Sequence, residues 1–171
     1  MNDTNKSDIF KYFNAVRKND TSKILELFNE GTIQVNTAND DGFDGLTIAT
    51  IHDSNEMIEF FLEKGANINV QDTKGWSLLH IAAYNSRPEQ YSYLVGKGCN
   101  LNHRTTRNKL PYQMSPPRSW EQIKGIHAKF GGEIDDSTDN IDNFDPVSPN
   151  PFSVQEDTAI VDVEDDEDAK E

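Results

Sequence analysis

The sequence of 171 residues contains one cysteine, Cys99, and no long run of apolar side chains. One cysteine cannot form an intramolecular disulfide, and one thiol among four scattered histidines does not supply a structural zinc site. The first residues, MNDTNKSDIFKYF, lack the apolar core of a signal peptide, and no stretch reaches the roughly 18 apolar residues of a membrane span. We therefore expect a soluble intracellular protein, cytoplasmic or nuclear, that does not associate with a membrane.

The sequence also lacks the short motifs that mark enzyme sites. It has no glycine-rich phosphate loop, no His-Glu-x-x-His helix and no Gly-x-Ser-x-Gly nucleophile elbow. We expect a non-enzymatic protein with no catalytic residue, no cofactor and no bound metal.

The charge of the chain is unevenly distributed. Residues 133–171 hold 15 Asp or Glu and one Lys, whereas residues 1–132 hold 15 acids and 15 bases. The acidic segment has three prolines and no long periodic apolar pattern, so it cannot bury enough surface to offset its ordering entropy. We predict that residues 133–171 form a disordered acidic tail and that residues 1–132 fold without it. Such a tail repels phosphates, which disfavours a nucleic-acid partner.

A spacing of 33 residues recurs in the middle of the chain. The positions that repeat include Gly42 and Gly75, Leu46 and Leu79, Ala49 and Ala82, and Gly65 and Gly98. In the second of these copies, Ala82 and Ala83 favour a short helix with one small-residue side, and Tyr91, Leu94 and Val95 have the spacing of a second helix. The pattern predicts two helices in each unit.

Cap residues predict where the second helices begin and end. Asp20 and Ser54 suit the N-cap, and Pro88 suits the first helical position, where its missing N–H costs nothing. Glycines that permit a left-handed backbone follow the last apolar residue of each second helix, at Gly31, Gly65 and Gly98.

The segment GWSLLHIAA, residues 75–83, resembles the ankyrin signature Gly-x-Thr-Pro-Leu-His-x-Ala-Ala, and GANIN and GCNLN resemble its Gly-Ala-x-Val-Asn end. The spacing of the copies also agrees with the ankyrin period of about 33 residues. The resemblance implies an all-α solenoid of about three to four helix-turn-helix repeats, followed by the acidic tail. It also implies that the His80 side chain forms a hydrogen bond with the backbone of a turn, and that Cys99 is a small buried residue. The implied segments are a flexible N-terminus at 1–6, an N-terminal cap repeat at 7–38, repeats at 39–71 and 72–104, and a degenerate C-terminal cap repeat at 105–132.

The resemblance further implies a binding surface made of the turns between repeats, called fingers, and the exposed side of the first helices. In this sequence the surface consists of Asp40, Asp41, Phe43, Ile51, His52, Thr73, Lys74, Trp76, Tyr84 and Asn85. Phe43 and Trp76 each follow a finger glycine at a variable position, so we expect exposed aromatic anchors there. The alternative is that both rings lie flat against the neighbouring repeat and contribute to packing.

The sign of the charge changes along the predicted fingers. The segment NDDGFDG is acidic, whereas HRTTRNK presents Arg104, Arg107 and Lys109. This basic end precedes the acidic tail, and a bridge between the two within one chain is an open alternative.

Two functions from different classes fit these features. We expect a monomeric adaptor that binds a protein partner through the fingers; the alternative is a chaperone or escort of a basic client, such as a ribosomal protein or histone, that uses the acidic tail. A client held by the tail loses affinity steeply with salt, whereas a groove built on Phe43 and Trp76 does not.

Two stretches of the tail resemble peptide motifs. One is the tripeptide that EH domains bind, at Asn150, Pro151 and Phe152; the other is a SUMO-interacting motif, with Ile160, Val161 and Val163 followed by acids. The alternative is a solubilising acidic tail with incidental valines.

Overall fold

The computed structural model describes residues 3–135 of the chain, and within that range it contains seven α-helices and one short 3-10 helix. The helices are α1 (Asp3–Arg17), α2 (Thr21–Asn29), α3 (Gly45–Ile51), α4 (Asn55–Glu63), α5 (Leu78–Tyr84), α6 (Pro88–Gly96) and α7 (Trp120–Lys129), and the 3-10 helix is Pro111–Met114. No strand is present in these residues, although isolated bridges join Ala38 to Asp44 and Gln71 to Ser77. The all-α fold predicted from the sequence is confirmed.

The helices form a stack of hairpins. Helices α1 and α2, α3 and α4, and α5 and α6 pack in pairs, and α1, α3, α5 and the 3-10 helix pack successively as an inner row. Each pair buries one apolar side against the next pair, so the core runs continuously through the stack. In each unit after the first, the inner element directly follows a turn. These turns are the fingers.

The predicted caps are present. The side chain of Asp20 accepts from the Lys23 N–H at 3.0 Å, and that of Ser54 accepts from the Met57 N–H at 3.3 Å, so each closes the open first turn of an outer helix. Pro88 is the first residue of α6. The three predicted helix-ending glycines all have positive φ, at 72° for Gly31, 86° for Gly65 and 96° for Gly98.

Helix α3 begins with a glycine because there is no room for a side chain. A Cβ at Gly45 would collide with the Tyr12 hydroxyl and the Phe61 ring, both fully buried. The rings of Tyr12 and Phe61 lie edge to face at 6.3 Å between centroids. The low helix propensity of glycine is therefore offset by close packing of α1 and α4 against α3.

The last unit has a different inner element. One turn of 3-10 helix, Pro111–Met114, takes the place that α3 and α5 occupy in the two preceding units. Pro116 and Pro117 follow it and cannot donate backbone hydrogen bonds, so the turn does not extend into an α-helix. Helix α7 then packs on α6 and on the 3-10 turn, which covers the end of the core.

The chain after α7 folds back on this unit over residues 132–135, which we call the strap. The Glu133 N–H donates to Asn102 Oδ1 at 2.8 Å, and the Asp135 N–H donates to the Tyr112 hydroxyl at 2.9 Å. The disorder predicted from residue 133 therefore does not apply to residues 133–135. The remainder of the predicted acidic tail, residues 136–171, lies outside the described residues.

None of the helices within residues 3–135 combines the length and the apolar character needed to cross a membrane.

Candidate protein-binding surface

The first finger, residues 39–43, is a turn closed by the side chain at its base. Asn39 Oδ1 accepts from the N–H of Asp41 at 3.1 Å and of Phe43 at 2.9 Å, and the Asn39 N–H donates to the Phe43 carbonyl at 2.9 Å. Gly42 adopts a φ of 86°, which a side chain would disfavour. The finger therefore has one defined conformation before any partner binds.

The second finger, residues 72–76, repeats this geometry with a carboxylate. Asp72 Oδ1 accepts from the N–H of Lys74 at 2.8 Å and of Trp76 at 2.7 Å. Partial burial raises the pKa of Asp72, whereas the two N–H donors and the Lys74 charge oppose the rise. Asn39 and Asp72 thus perform the same structural role in successive repeats.

Neighbouring fingers are joined through their backbones. The Thr73 N–H donates to the Asp41 carbonyl at 3.2 Å. A Cβ at Gly42 would lie 3.0 Å from the Thr73 nitrogen and 3.2 Å from the Asp72 Cα, so glycine permits this approach. The two tips form one continuous edge of the molecule.

Phe43 and Trp76 are not exposed anchors. Their exposed fractions are 4% and 6%, so the expectation of exposed rings is wrong at both positions and the packing alternative is the one observed. The closing hydrogen bonds bring the residue after each glycine back to the base of its finger, directly before the N-cap of the inner helix. The Trp76 ring packs along α5, with its centroid 5.5 Å from that of Tyr84 and 6.1 Å from that of His80.

The remaining predicted surface residues form two groups. Asp40, Asp41, Thr73 and Lys74 are exposed at the finger tips, whereas Ile51, His52, Tyr84 and Asn85 lie at the C-terminal ends of α3 and α5, where His52 is exposed and the other three are half-buried. An inner helix of seven residues separates the groups, which corresponds to about 10 Å. Four of the predicted residues therefore lie along the finger tips, and four lie at the C-terminal ends of the inner helices α3 and α5.

The group at the helix ends is held by the next unit. Arg87 Nη1 donates to the carbonyls of Thr50 at 3.0 Å and Ile51 at 2.9 Å, which pairs the last carbonyl groups of α3. Partial burial lowers the pKa of His52, and the charges of Arg17 and Arg87 lower it further. His52 is therefore a neutral side chain near pH 7.

Residues 12–105 match the family model described as Ankyrin repeats (3 copies), which covers more than half of the chain. The chain belongs to the ankyrin-repeat family. No curated protein matches it. The matched region contains the last part of α1, all of α2 to α6 and the first two fingers, and its repeats form a protein–protein interaction module.

The third finger of the ankyrin stack, residues 105–109, lies at the end of that match. Thr105 Oγ1 accepts from the Lys109 N–H at 3.2 Å, and Asn108 takes the glycine position with a φ of 59°. The Thr106 N–H donates to the Lys74 carbonyl at 2.9 Å, so this finger continues the edge made by the first two. From the sequence, Arg107 was named as part of a basic finger, but neither it nor Thr106 was included in the binding surface, although they occupy the repeat positions of Lys74 and Thr73.

The histidine of the ankyrin signature has a structural role here. His80 Nδ1 accepts from the Ser77 N–H at 3.0 Å, and Nε2 donates to the Lys109 carbonyl at 3.0 Å. Complete burial lowers the pKa of His80 to about 4, so the ring is neutral and ties α5 to the third finger. This geometry agrees with the turn bonding that the resemblance implied.

Cys99 is buried, and its thiol lies 3.4 Å from the Ile68 carbonyl, to which it donates. Burial raises the pKa of the thiol to about 12, so the nucleophilic thiolate is scarce at neutral pH. Among residues 3–135 no group of His, Cys, Asp and Glu side chains is arranged to hold a metal ion.

The two predicted tail motifs lie outside the described residues. These are the EH-type tripeptide at Asn150, Pro151 and Phe152 and the SUMO-type stretch with Ile160, Val161 and Val163.

Proposed function

We propose that this chain is a non-enzymatic adaptor whose ankyrin stack binds one protein partner through the exposed edge of its fingers. The binding residues are Asp40, Asp41, Thr73 and Lys74 at the tips, with Ile51, His52, Tyr84 and Asn85 at the helix ends. The observation that carries the proposal is that four exposed side chains stand on two fingers joined by the Thr73–Asp41 backbone hydrogen bond.

This edge is well suited to binding because its backbone is already ordered. Asn39 and Asp72 fix the two turns, and the fingers fix one another. A partner that contacts the tips therefore loses little free energy to loop ordering, which otherwise opposes association.

The burial of Phe43 and Trp76 changes the chemistry expected of the interface. The first tip carries two carboxylates and the second carries one ammonium group, so charge complementarity replaces the aromatic anchors at the fingers. Tyr84 is the aromatic side chain that the surface retains, half-exposed and supported by the Trp76 ring. The partner is expected to present basic groups opposite Asp40 and Asp41, with an association rate that decreases with salt.

Affinity capture with the full-length chain tests the proposal. The double charge reversal Asp40→Lys with Asp41→Lys is compared with a matched double reversal at the C-terminal ends of α2 and α4, Glu30→Lys with Glu63→Lys. Both variants replace exposed acids. We expect the recovery of a specific protein to fall at least about tenfold with the tip variant, equivalent to about 1.4 kcal/mol, and to persist with the control.

Two results would contradict this proposal. If neither the tip variant nor Tyr84→Ala changes which proteins are captured, the binding surface lies elsewhere on the molecule. A protein that both charge variants retain, but that is lost at about 0.5 M salt where the Debye length is about 4 Å, would favour the escort of a basic client by the acidic tail.

A further inference from the structure

The third finger is the basic part of the ankyrin edge. Arg107 is exposed at its tip, Arg104 and Lys109 are half-exposed at its base, and Lys129 is exposed at the end of α7, shortly before Glu133. The first finger at the other end of the edge carries Asp40 and Asp41 instead. The charge of the edge therefore changes from acidic to basic along the stack.

The first acids of the C-terminal segment already contact this basic region. Arg104 Nη2 lies 3.1 Å from Glu133 Oε2, and Arg104 Nη1 lies 3.9 Å from Asp135 Oδ2. Arg104 is itself oriented by a hydrogen bond from Nη1 to the Asn108 carbonyl at 3.2 Å. One guanidinium group thus joins the third finger to the strap.

The strap also fixes where the rest of the chain begins. The hydrogen bonds of Glu133 to Asn102 and of Asp135 to Tyr112 hold it against the last unit. Residues 136–171 follow directly and contain thirteen Asp or Glu and one Lys. A chain of about ten residues has a root-mean-square span of about 17 Å, so the acids that follow Asp135 are held at high effective concentration near the third finger.

We propose that residues 136–171 dock on the basic third finger, so that the chain's own acidic segment covers Arg107, Lys109 and Lys129. Single exposed ion pairs are weak, but many acids tethered beside a few bases act together. The docked segment screens the basic end of the edge from other anionic molecules and leaves the first two fingers accessible. This inference does not depend on the identity of the partner bound by those fingers.

A paramagnetic label in the full-length chain tests the contact. The native Cys99 is buried with a raised thiol pKa, so Ser153→Cys provides a selective attachment site for a nitroxide between the two acidic runs of the segment. We expect the backbone amide signals of residues 106–109 to be broadened at least about twofold more than those of residues 40–42 at low salt. The difference should decrease at about 0.5 M salt, because the Debye length falls to about 4 Å and only the proximity set by the tether remains.

Charge variants identify the surface. Arg107→Glu with Lys129→Glu should reduce the selective broadening to its level at high salt, whereas the matched reversal Lys18→Glu with Lys64→Glu, also at exposed basic residues, should retain it. Dispersed amide spectra of each variant verify that the stack is folded.

Three outcomes would overturn the proposal. The first is absence of selective broadening in the wild-type background at low salt, and the second is selective broadening of undiminished size in the Arg107→Glu, Lys129→Glu variant. The third is broadening that arises only between chains, detected by mixing a spin-labelled chain without isotopes with an isotope-labelled chain that carries no spin label.

Discussion

At the scale of single residues, the position after a finger glycine is decided by the turn that precedes it. In the first two fingers the carbonyl of this residue accepts from the N–H of the residue at the base, Asn39 or Asp72, and its own N–H donates to the side-chain oxygen of that residue, which directs the chain back toward the stack. Its side chain then lies beside the inner helix. A large aromatic residue at this position is therefore buried against the inner helix and supports the base of the finger.

We expect Trp76→Ala to lower the free energy of unfolding by about 3 to 5 kcal/mol, because it removes a nearly buried ring that packs on Tyr84 and His80. Urea unfolding followed by circular dichroism measures the change. Thr73→Ala, at an exposed tip of the same finger, is the control and should change the free energy by less than about 0.5 kcal/mol. A loss below about 1 kcal/mol for Trp76→Ala would show that its burial contributes little.

Gln90 is a polar residue in an otherwise apolar series. It occupies the same repeat position as Met57 in the preceding unit and Ile123 in the following one, and both of those side chains are fully buried. Gln90 is 2% exposed, and neither its side-chain oxygen nor its nitrogen has a hydrogen-bond partner. A buried amide without partners is costly because it has lost its bonds to water.

We expect Gln90→Met to raise the free energy of unfolding by about 1 to 3 kcal/mol, since methionine already fills the same position one unit earlier. The converse change, Met57→Gln, should lower it by a similar amount. Both are measured by urea unfolding. A loss of stability in Gln90→Met would indicate that the amide makes bonds, for example to buried water, that offset its burial.

At the scale of helices, the repeat spacing and the cap residues predicted helices α2 to α6 and the pairing of α3 with α4 and of α5 with α6. Those signals are local: an N-cap side chain, a proline at the first position and a glycine at the end act within one turn. The 3-10 turn of the last unit was less predictable. Its length depends on the two prolines that follow it and on its own packing against α5 and α7. A repeat pattern does not encode either of these.

The candidate surface was predictable to a similar degree. The repeat register placed the tips at Asp40, Asp41, Thr73 and Lys74, and these are exposed. The strap was not predicted, since Arg104 and Glu133 are 29 residues apart and meet only after α7 returns the chain to the third finger. Composition alone assigned residues 133–135 to the tail, because the run of acids without balancing bases begins at Glu133.

His80 connects two elements and makes their association depend on pH. Its pKa is about 4 in the folded stack and has the ordinary value of 6.5 in the unfolded chain, so between these values the unfolded state binds more protons. The stability that neutral His80 provides is complete above pH 6.5 and is lost as the pH falls toward 4, by up to about 3 kcal/mol. Burial also lowers the pKa of His127, which acts in the same direction.

We expect His80→Thr to be less stable than the wild type at pH 7, because the bond to the Lys109 carbonyl is lost, but to vary less in stability between pH 7 and pH 4.5. Threonine is chosen because Thr47 occupies the equivalent position in the preceding unit and bonds to the N-cap Asp44. Urea unfolding at the two pH values measures the difference. Equal pH dependence in His80→Thr and wild type would show that His80 does not titrate in this range.

At the scale of the whole molecule, the strap completes the C-terminal end of the stack. The buried His127 ring accepts from the Tyr91 hydroxyl at 2.6 Å on Nδ1 and donates from Nε2 to the Glu133 carbonyl at 2.9 Å. Gly132 makes this possible, because a Cβ there would collide with the His127 ring. The three residues after Gly132 thus satisfy polar groups that belong to the folded core.

Two truncated chains separate the strap from the acidic segment that follows it. We expect a chain ending at Asp135 to unfold within about 3 °C of the full-length protein, because exposed charge pairs contribute little to stability. A chain ending at Gly132 should still fold, but about 5 °C or more lower, because His127 and Tyr112 lose partners at a cost of about 1 to 3 kcal/mol and each kcal/mol corresponds to about 3 to 5 °C at this size. Thermal unfolding followed by circular dichroism gives both values. Equal melting temperatures for the two truncated chains would mean that the strap contacts do not stabilise the stack, and that residues 1–132 are the complete folding unit.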